Sequence, residues 1–260
     1  MMPPAIPDDP ADDPARERRR LLRAELLARR LAMTAVERAP RDGAITALLS
    51  AVLTIDRAPS MSPLPSMSSA AAAAAAASPS LPSRPVASPA VPATPPQVLG
   101  FCWPHQGEYD VRPLVERFIA QGGRAVLPVV AARGAALQFR SWEPGVAMVA
   151  GEHGIPVPAA GEPLSPDLML VPLVGFDEAG YRLGYGGGYF DRTLAGLARA
   201  HTIGVGYESA RVPSIEPQPH DLPMRWIVTE AGVFERVAGR LRAVATGDVR
   251  AALAPKCSVS

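Results

Sequence analysis

The stretch Arg182-Leu183-Gly184-Tyr185-Gly186-Gly187-Gly188-Tyr189-Phe190-Asp191-Arg192 carries the densest chemistry in the chain. Glycines at 184, 186, 187 and 188 let a backbone approach a bulky anion closely. The stretch follows an apolar run expected as a buried strand and leads into a segment expected as a helix from about Gly188. The free N–H groups and positive dipole end of such a helix suit phosphate. Asp191, in the first helical turn, could hold Mg²⁺, and Arg182 could neutralise phosphate charge. A dinucleotide fingerprint would need glycine at 189, which is Tyr, and the Gly-Lys-Ser/Thr ending of a P-loop is missing. That excludes a dinucleotide oxidoreductase. On spacing alone, anion binding and a purely structural glycine turn both stay open.

The elements around this loop read as strand–helix alternation. Pro14 after Asp13 predicts a helix start, and the run to Met33 carries Leu22, Leu26, Leu27 and Met33 on one side and arginines on the other. Thr34 to Glu37 fits a capping box, but Pro40 and Gly43 argue against a helix there, so the second helix is expected over 42–55 with Ile45, Leu48, Leu49 and Val52 inward. Strands are expected at 98–103, 125–130, 137–142, 168–174, 202–207 and 226–229. Helices are expected at 112–121, closed by Gly122-Gly123, and finally at 231–244. Continuously apolar strands alternating with helices predict an α/β fold, a single three-layer α/β/α domain with a mainly parallel sheet and an N-terminal helical part. Ligands in such sheets bind at the carboxyl ends of the strands.

Composition sets the limits. The 260 residues carry 26 basic and 25 acidic side chains, a net charge of +1, which exerts no overall pull on nucleic acid or acidic membranes. Cys102 and Cys257 are too few for a disulfide framework; the first reads as a small buried residue and the second as part of a tail. His105, His153 and His201 lack metal-ligand spacing, and His220 reads as a turn or orienting residue. No leader of secretory type and no membrane span are expected. Of the 30 prolines, ten fall in 57–97 with twelve alanines and nine serines, including eight alanines at 70–77. Such a segment has little to bury against its ordering entropy. The expected organisation is a disordered 1–13, a helical 14–56, a low-complexity insertion at 57–97, the α/β remainder at 98–250 and a tail at 251–260.

The loop and its surroundings resemble the 5-formyltetrahydrofolate cyclo-ligase family. The run Val171-Pro172-Leu173-Val174-Gly175-Phe176-Asp177 through Gly180 to Arg192 is similar to the family's signature. Trp103-Pro104-His105-Gln106-Gly107-Glu108 is similar to its strand-end motif. Leu127-Pro128, Arg140-Ser141-Trp142, Gly154-Ile155-Pro156, Pro166-Asp167, Pro219-His220-Asp221 and the opening helix with Leu22-Arg23 and Arg29-Arg30 also have counterparts. The resemblance spans nearly all the chain outside the insertion.

It implies an enzyme that closes 5-formyltetrahydrofolate, with or without a polyglutamate tail, to 5,10-methenyltetrahydrofolate, consuming ATP with Mg²⁺ and releasing ADP and phosphate through an iminium phosphate. Carried over by position, Arg19 and Arg23 are the N-terminal ATP contacts, Arg19 standing where Lys is usual. Arg182, Gly184, Tyr185, Gly186, Gly187, Gly188, Tyr189 and Phe190 form the nucleotide loop, Phe190 replacing the commoner Tyr. Arg182 and Tyr189 are the implied catalytic pair. Trp103, Glu108, Tyr185 and Tyr189 are the implied folate contacts, and Asp191 and Asp221 the implied Mg²⁺ ligands. A cytoplasmic monomer acting on a small molecule, without nucleic acid or membrane, is the expected setting. The competing expectation is a non-catalytic nucleotide- or folate-binding homologue with a protein or RNA partner; an intact loop and both aspartates speak against it.

Overall fold

In the computed structural model of the protein, which describes residues 14–53, 97–197 and 200–253, two 19-residue helices open the chain. The first, α1, spans Pro14–Ala32 and begins on a proline whose missing N–H would be unpaired in any case. The second, α2, spans Ala35–Leu53 rather than starting at residue 42. The capping box does form: the Thr34 amide and hydroxyl both donate to Glu37 Oε2 at 2.9 Å, and the Glu37 amide donates to Thr34 Oγ1 at 3.3 Å. Pro40 therefore sits inside the helix. The carbonyl it leaves without an amide belongs to Val36, which is 84% exposed, so water can satisfy it. Expected features at 1–13, 57–96 and Cys257 lie outside the described residues.

Chain order continues with β1 (Val98–Gly100), α3 (Arg112–Ala120), β2 (Arg124–Val129), β3 (Gln138–Trp142), β4 (Met148–Ala150), β5 (Pro156–Pro158), β6 (Leu168–Pro172), β7 (Gly175–Asp177) and β8 (Arg182–Leu183). It ends with α4 (Tyr189–Gly196), β9 (His201–Val205), β10 (Arg211–Val212), β11 (Trp226–Thr229), β12 (Gly232–Val237), β13 (Arg240–Val244) and α5 (Thr246–Leu253). The main sheet runs β13-β12-β11-β9-β6-β1-β2-β3, parallel from β11 through β2 and antiparallel at both margins. The helix expected at 231–244 is instead the β12–β13 hairpin, turning at Ala238 (φ +49°) and Gly239 (φ +80°). Val233, Val237, Leu241 and Val244 mimic a helical stripe, but the turn residues and β-branched valines favour paired strands.

Burial on β6 shows why the sheet needs two covers. Leu168 and Leu170 join the core under α2, α3 and α5, while Met169 and Val171 join the core on the other face with Phe176, Ile227 and the flank of α4. A small sheet, β10-β7-β8, completes that second cover, and α1 packs on it through Leu26 against Val174, Leu183 and Ile215. This is the three-layer α/β/α arrangement with a largely parallel sheet. Pairings Gly100↔Met169 and Pro172↔Val205 align the carboxyl ends of β1, β6 and β9, so the loops that leave them converge. No helix among the described residues is long and apolar enough to cross a membrane.

Candidate active site

The glycine loop hangs between β8 and α4. Its approach is shaped by Asp177, whose Oδ1 accepts the Ala179 and Tyr181 amides at 3.0 Å and so folds the β7–β8 turn. Gly186 (φ +98°) and Gly188 (φ +63°) take left-handed backbone that a side chain would strain. A Cβ on Gly187 would lie 2.9 Å from the Tyr189 ring. Gly188 caps α4 without any side-chain hydrogen bond, which leaves the first amides of that helix to an outside acceptor. Arg23 Nε donates to the Gly184 carbonyl at 2.6 Å and Arg192 Nη2 to the Gly187 carbonyl at 2.6 Å. The loop is thus a backbone cradle flanked by guanidinium groups, the form that suits polyphosphate.

Both predicted metal ligands converge beside it, each paired with arginine. Arg182, buried, donates to Asp191 Oδ1 at 2.7 Å and to the Leu222 carbonyl at 2.8 Å; the Leu222 amide in turn reaches Asp191 Oδ1 at 3.3 Å. Asp221, the preceding residue, is held by both terminal nitrogens of Arg19 and by the Gln218 amide at 2.7 Å. Burial raises the Asp221 carboxyl, but the Arg19 and Gln218 hydrogen bonds and the Arg19 charge outweigh it and leave the group below the usual carboxylate range. Among the described residues, Asp191 Oδ2 accepts no hydrogen bond, and no group of three or more His, Cys, Asp and Glu side chains gathers. Two neighbouring carboxylates suit a magnesium ion that also takes phosphate oxygens and water.

The second half of the site is a buried carboxylate. Glu108 lies beyond β1 on a turn through Gln106 (φ +47°) and Gly107 (φ +75°). Its Oε2 accepts the His105 amide at 2.9 Å and its Oε1 accepts the Tyr185 hydroxyl at 2.6 Å. The Arg30 guanidinium stands 3.9 Å from Oε1 and donates to the Tyr185 oxygen at 2.6 Å. Burial pushes the Glu108 carboxyl up, against the opposing pull of the Tyr185 hydrogen bond, the Arg30 charge and the His105 amide. Tyr185 is pushed well above the usual phenol range by burial and by the adjacent Glu108 charge. A pocket lined by Arg30, Glu108, Tyr109, Pro172, Gly206 and Tyr207 opens here, at the carboxyl ends of the parallel strands.

The structure therefore brings Arg19, Arg23, Arg182, the 184–190 loop, Asp191 and Asp221 to one corner, with Glu108 joined to them through Tyr185. Trp103 lies elsewhere. It is stacked by Arg112 at 4.6 Å and meets Trp142 edge-on at 6.4 Å, lining a different hollow with Pro113, Pro144 and Met148. Sequence reasoning gave no role to Arg30, although it follows Arg23 by seven residues and Arg19 by eleven and so shares their helical face.

An open parallel sheet with a phosphate-type loop and a buried acid at its strand ends defines an α/β enzyme that works on a small molecule. The model of the 5-formyltetrahydrofolate cyclo-ligase family matches residues 98–230, and the chain belongs to that family. It is 36% identical over 137 residues to the 5-formyltetrahydrofolate cyclo-ligase of Escherichia coli strain K12, covering 50% of this chain and 75% of that protein. The cyclo-ligase of Mycolicibacterium smegmatis is 33% identical over 129 residues, 45% of this chain and 64% of that one. The fold is similar to that of Aquifex aeolicus 5,10-methenyltetrahydrofolate synthetase, with TM-score 0.60, 24% identity and coverage of 87% of this chain and 96% of the other.

Proposed function

We propose that the enzyme cyclises 5-formyltetrahydrofolate to 5,10-methenyltetrahydrofolate at the expense of ATP, with the nucleotide on the glycine loop and the folate against Glu108. The observation that carries this reading is the 2.6 Å hydrogen bond from Tyr185 to Glu108, which ties the phosphate cradle to a buried carboxylate. A formamide oxygen is a poor leaving group, and phosphorylation makes it a good one. In the proposed sequence the N5-formyl oxygen attacks the γ-phosphorus and ADP departs. N10 then adds to the resulting iminium carbon and loses its proton, and phosphate leaves with the C–O electron pair.

The protein's part is positioning and charge placement. Arg19, Arg23 and Arg182, with the amides of the loop and of α4, receive the phosphates, and Phe190 backs the loop. Tyr185 and Tyr189 face the folate, and Glu108 accepts its N–H groups and stabilises the cationic carbon. Asp191 with Asp221 would hold Mg²⁺, which when bound supplies charge neutralisation on the phosphate oxygens. Arginine pairing holds both carboxylates in place until that charge arrives.

The test is growth of the methenyl absorbance with purified protein, 5-formyltetrahydrofolate and Mg-ATP, beside an Asp191→Asn sample. Growth that needs ATP and Mg²⁺ and drops at least about tenfold in the variant supports the proposal. Nucleotide or folate binding without any growth in the wild-type protein overturns the activity. Growth undiminished by Asp191→Asn overturns the metal assignment alone.

A further inference from the structure

Arg30 is one of the few buried charged residues of the described chain, 7% exposed, and each of its three nitrogens meets a protein acceptor. Nε donates to the Gln106 carbonyl at 3.0 Å, Nη1 to the Leu173 carbonyl at 3.0 Å and Nη2 to the Tyr185 oxygen at 2.6 Å. These acceptors belong to three different loops: the turn that presents Glu108, the segment leaving β6, and the glycine loop. The first of them is under strain, because Gln106 holds a left-handed φ of +47° without being glycine. Such a backbone persists only when its surroundings over-determine it, and Arg30 grips the strained residue by its own carbonyl. Arg38 adds a second grip on the same turn, through the Gly107 carbonyl, and reaches the Arg30 carbonyl at 3.1 Å.

We infer that Arg30 is a positioning residue, whose planar fork locks the Gln106–Glu108 turn, the Leu173 segment and Tyr185 into one seat for the folate. It acts on the reaction through Glu108 and Tyr185, since its own donors point to protein. The inference rests on the folate site proposed above. Its chemistry demands arginine: three acceptors in three directions match a rigid guanidinium, and a lysine ammonium on a flexible stem reaches them poorly. The groups that face Glu108 are Arg30 from α1, Tyr185 from the glycine loop, His105 on its own turn and the Cys102 thiol beyond β1. Arg30 is the positive charge among those neighbours, so its loss also moves the pH at which Glu108 ionises.

The experiment measures kcat, KM for each substrate and the pH profile for Arg30→Lys, Arg30→Met, Tyr185→Phe and the Arg30→Lys/Tyr185→Phe double variant, with Glu108→Gln as reference and melting curves for all. The expected result for Arg30→Lys is a rise of about tenfold or more in KM for 5-formyltetrahydrofolate, with KM for ATP within about twofold and the acid limb in place, since the ammonium keeps the charge. Arg30→Met, which removes the charge, also moves the acid limb to higher pH. Tyr185→Phe, which keeps the guanidinium, shows a smaller rise of the same kind and carries the test should Arg30→Lys fail to fold. The double variant costs less than the product of the singles, because both act along one chain of contacts. Equal effects on both substrates, an acid limb unmoved in Arg30→Met or simple multiplicativity overturns the inference. A Glu108→Gln enzyme with normal folate KM and kcat overturns instead the folate site on which it rests.

Discussion

The two halves of the site handle buried charge in opposite ways. At the phosphate corner every acid has its own arginine: Asp191 with Arg182 and Asp221 with Arg19. At the other end Glu108 shares one arginine at 3.9 Å with a tyrosine and lies deep enough that burial is the largest influence on its ionisation. The first half matches each carboxylate with a guanidinium, whereas in the second burial raises the carboxyl against the pull of a shared one. Phosphoryl transfer needs fixed countercharge, whereas a cation forming on a small carbon needs a nearby acid whose charge is not already spent.

The sharpest way to break this contrast is to neutralise each acid. Glu108→Gln should lower activity by about two to three orders of magnitude. Because burial raises the Glu108 carboxyl, its folded form prefers the proton; its favourable contribution exists below the ordinary glutamate range and is lost as pH rises through the folded value. Glu108→Gln should therefore melt no lower than the wild type at neutral pH. A lower melting temperature would place Glu108 with the structural pairs.

Asp221→Asn should behave the other way. The Asp221 carboxyl lies below its ordinary range, so its stabilisation is present above that range and disappears as pH falls through the folded value. With a side chain only 5% exposed, the loss at neutral pH should be about 1–2 kcal/mol, narrowing below about pH 4, as melting curves across pH would record. A gap that stays constant from pH 7 to 3 would sink the ion-pair account.

The smallest effect belongs to Trp103. Seated against Arg112 and Trp142 in its own hollow, it should, as Trp103→Leu, change folate KM by less than about threefold while costing about 1–2 kcal/mol of stability. A folate KM raised tenfold would return Trp103 to the substrate.

What the sequence disclosed follows local physics. The glycine spacing and the apolar run of β6 each carry their signal within a few residues, so loop and central strand were legible, whereas the capping box at Thr34 was outweighed by Pro40 and the start of α2 was set seven residues too late. The hairpin at 232–244 was misread because period and turn compete there, and only pairing against β11 decides. Arg30 was hidden for a different reason. One arginine in a helix rich in them has no local mark; its role exists only where Gln106, Leu173 and Tyr185 are folded around it. Trp103 shows the converse, since a residue five positions before Glu108 need not share its pocket.

Helix α1 sets a length. Arg19, Arg23 and Arg30 lie on one face, and at 1.5 Å per residue the first and last stand about 16 Å apart, so the helix works as a ruler between the Asp221 corner and the Glu108 turn. A single alanine inserted between Arg23 and Arg30 would turn everything beyond it by about 100°, and one end of the site would lose its arginine whichever end kept register. Seven inserted residues would restore the face yet overshoot by about 10 Å. The reach from the glycine-loop corner to the buried glutamate is thus written in the number of residues between two arginines, a quantity that no exchange of side chains can tune.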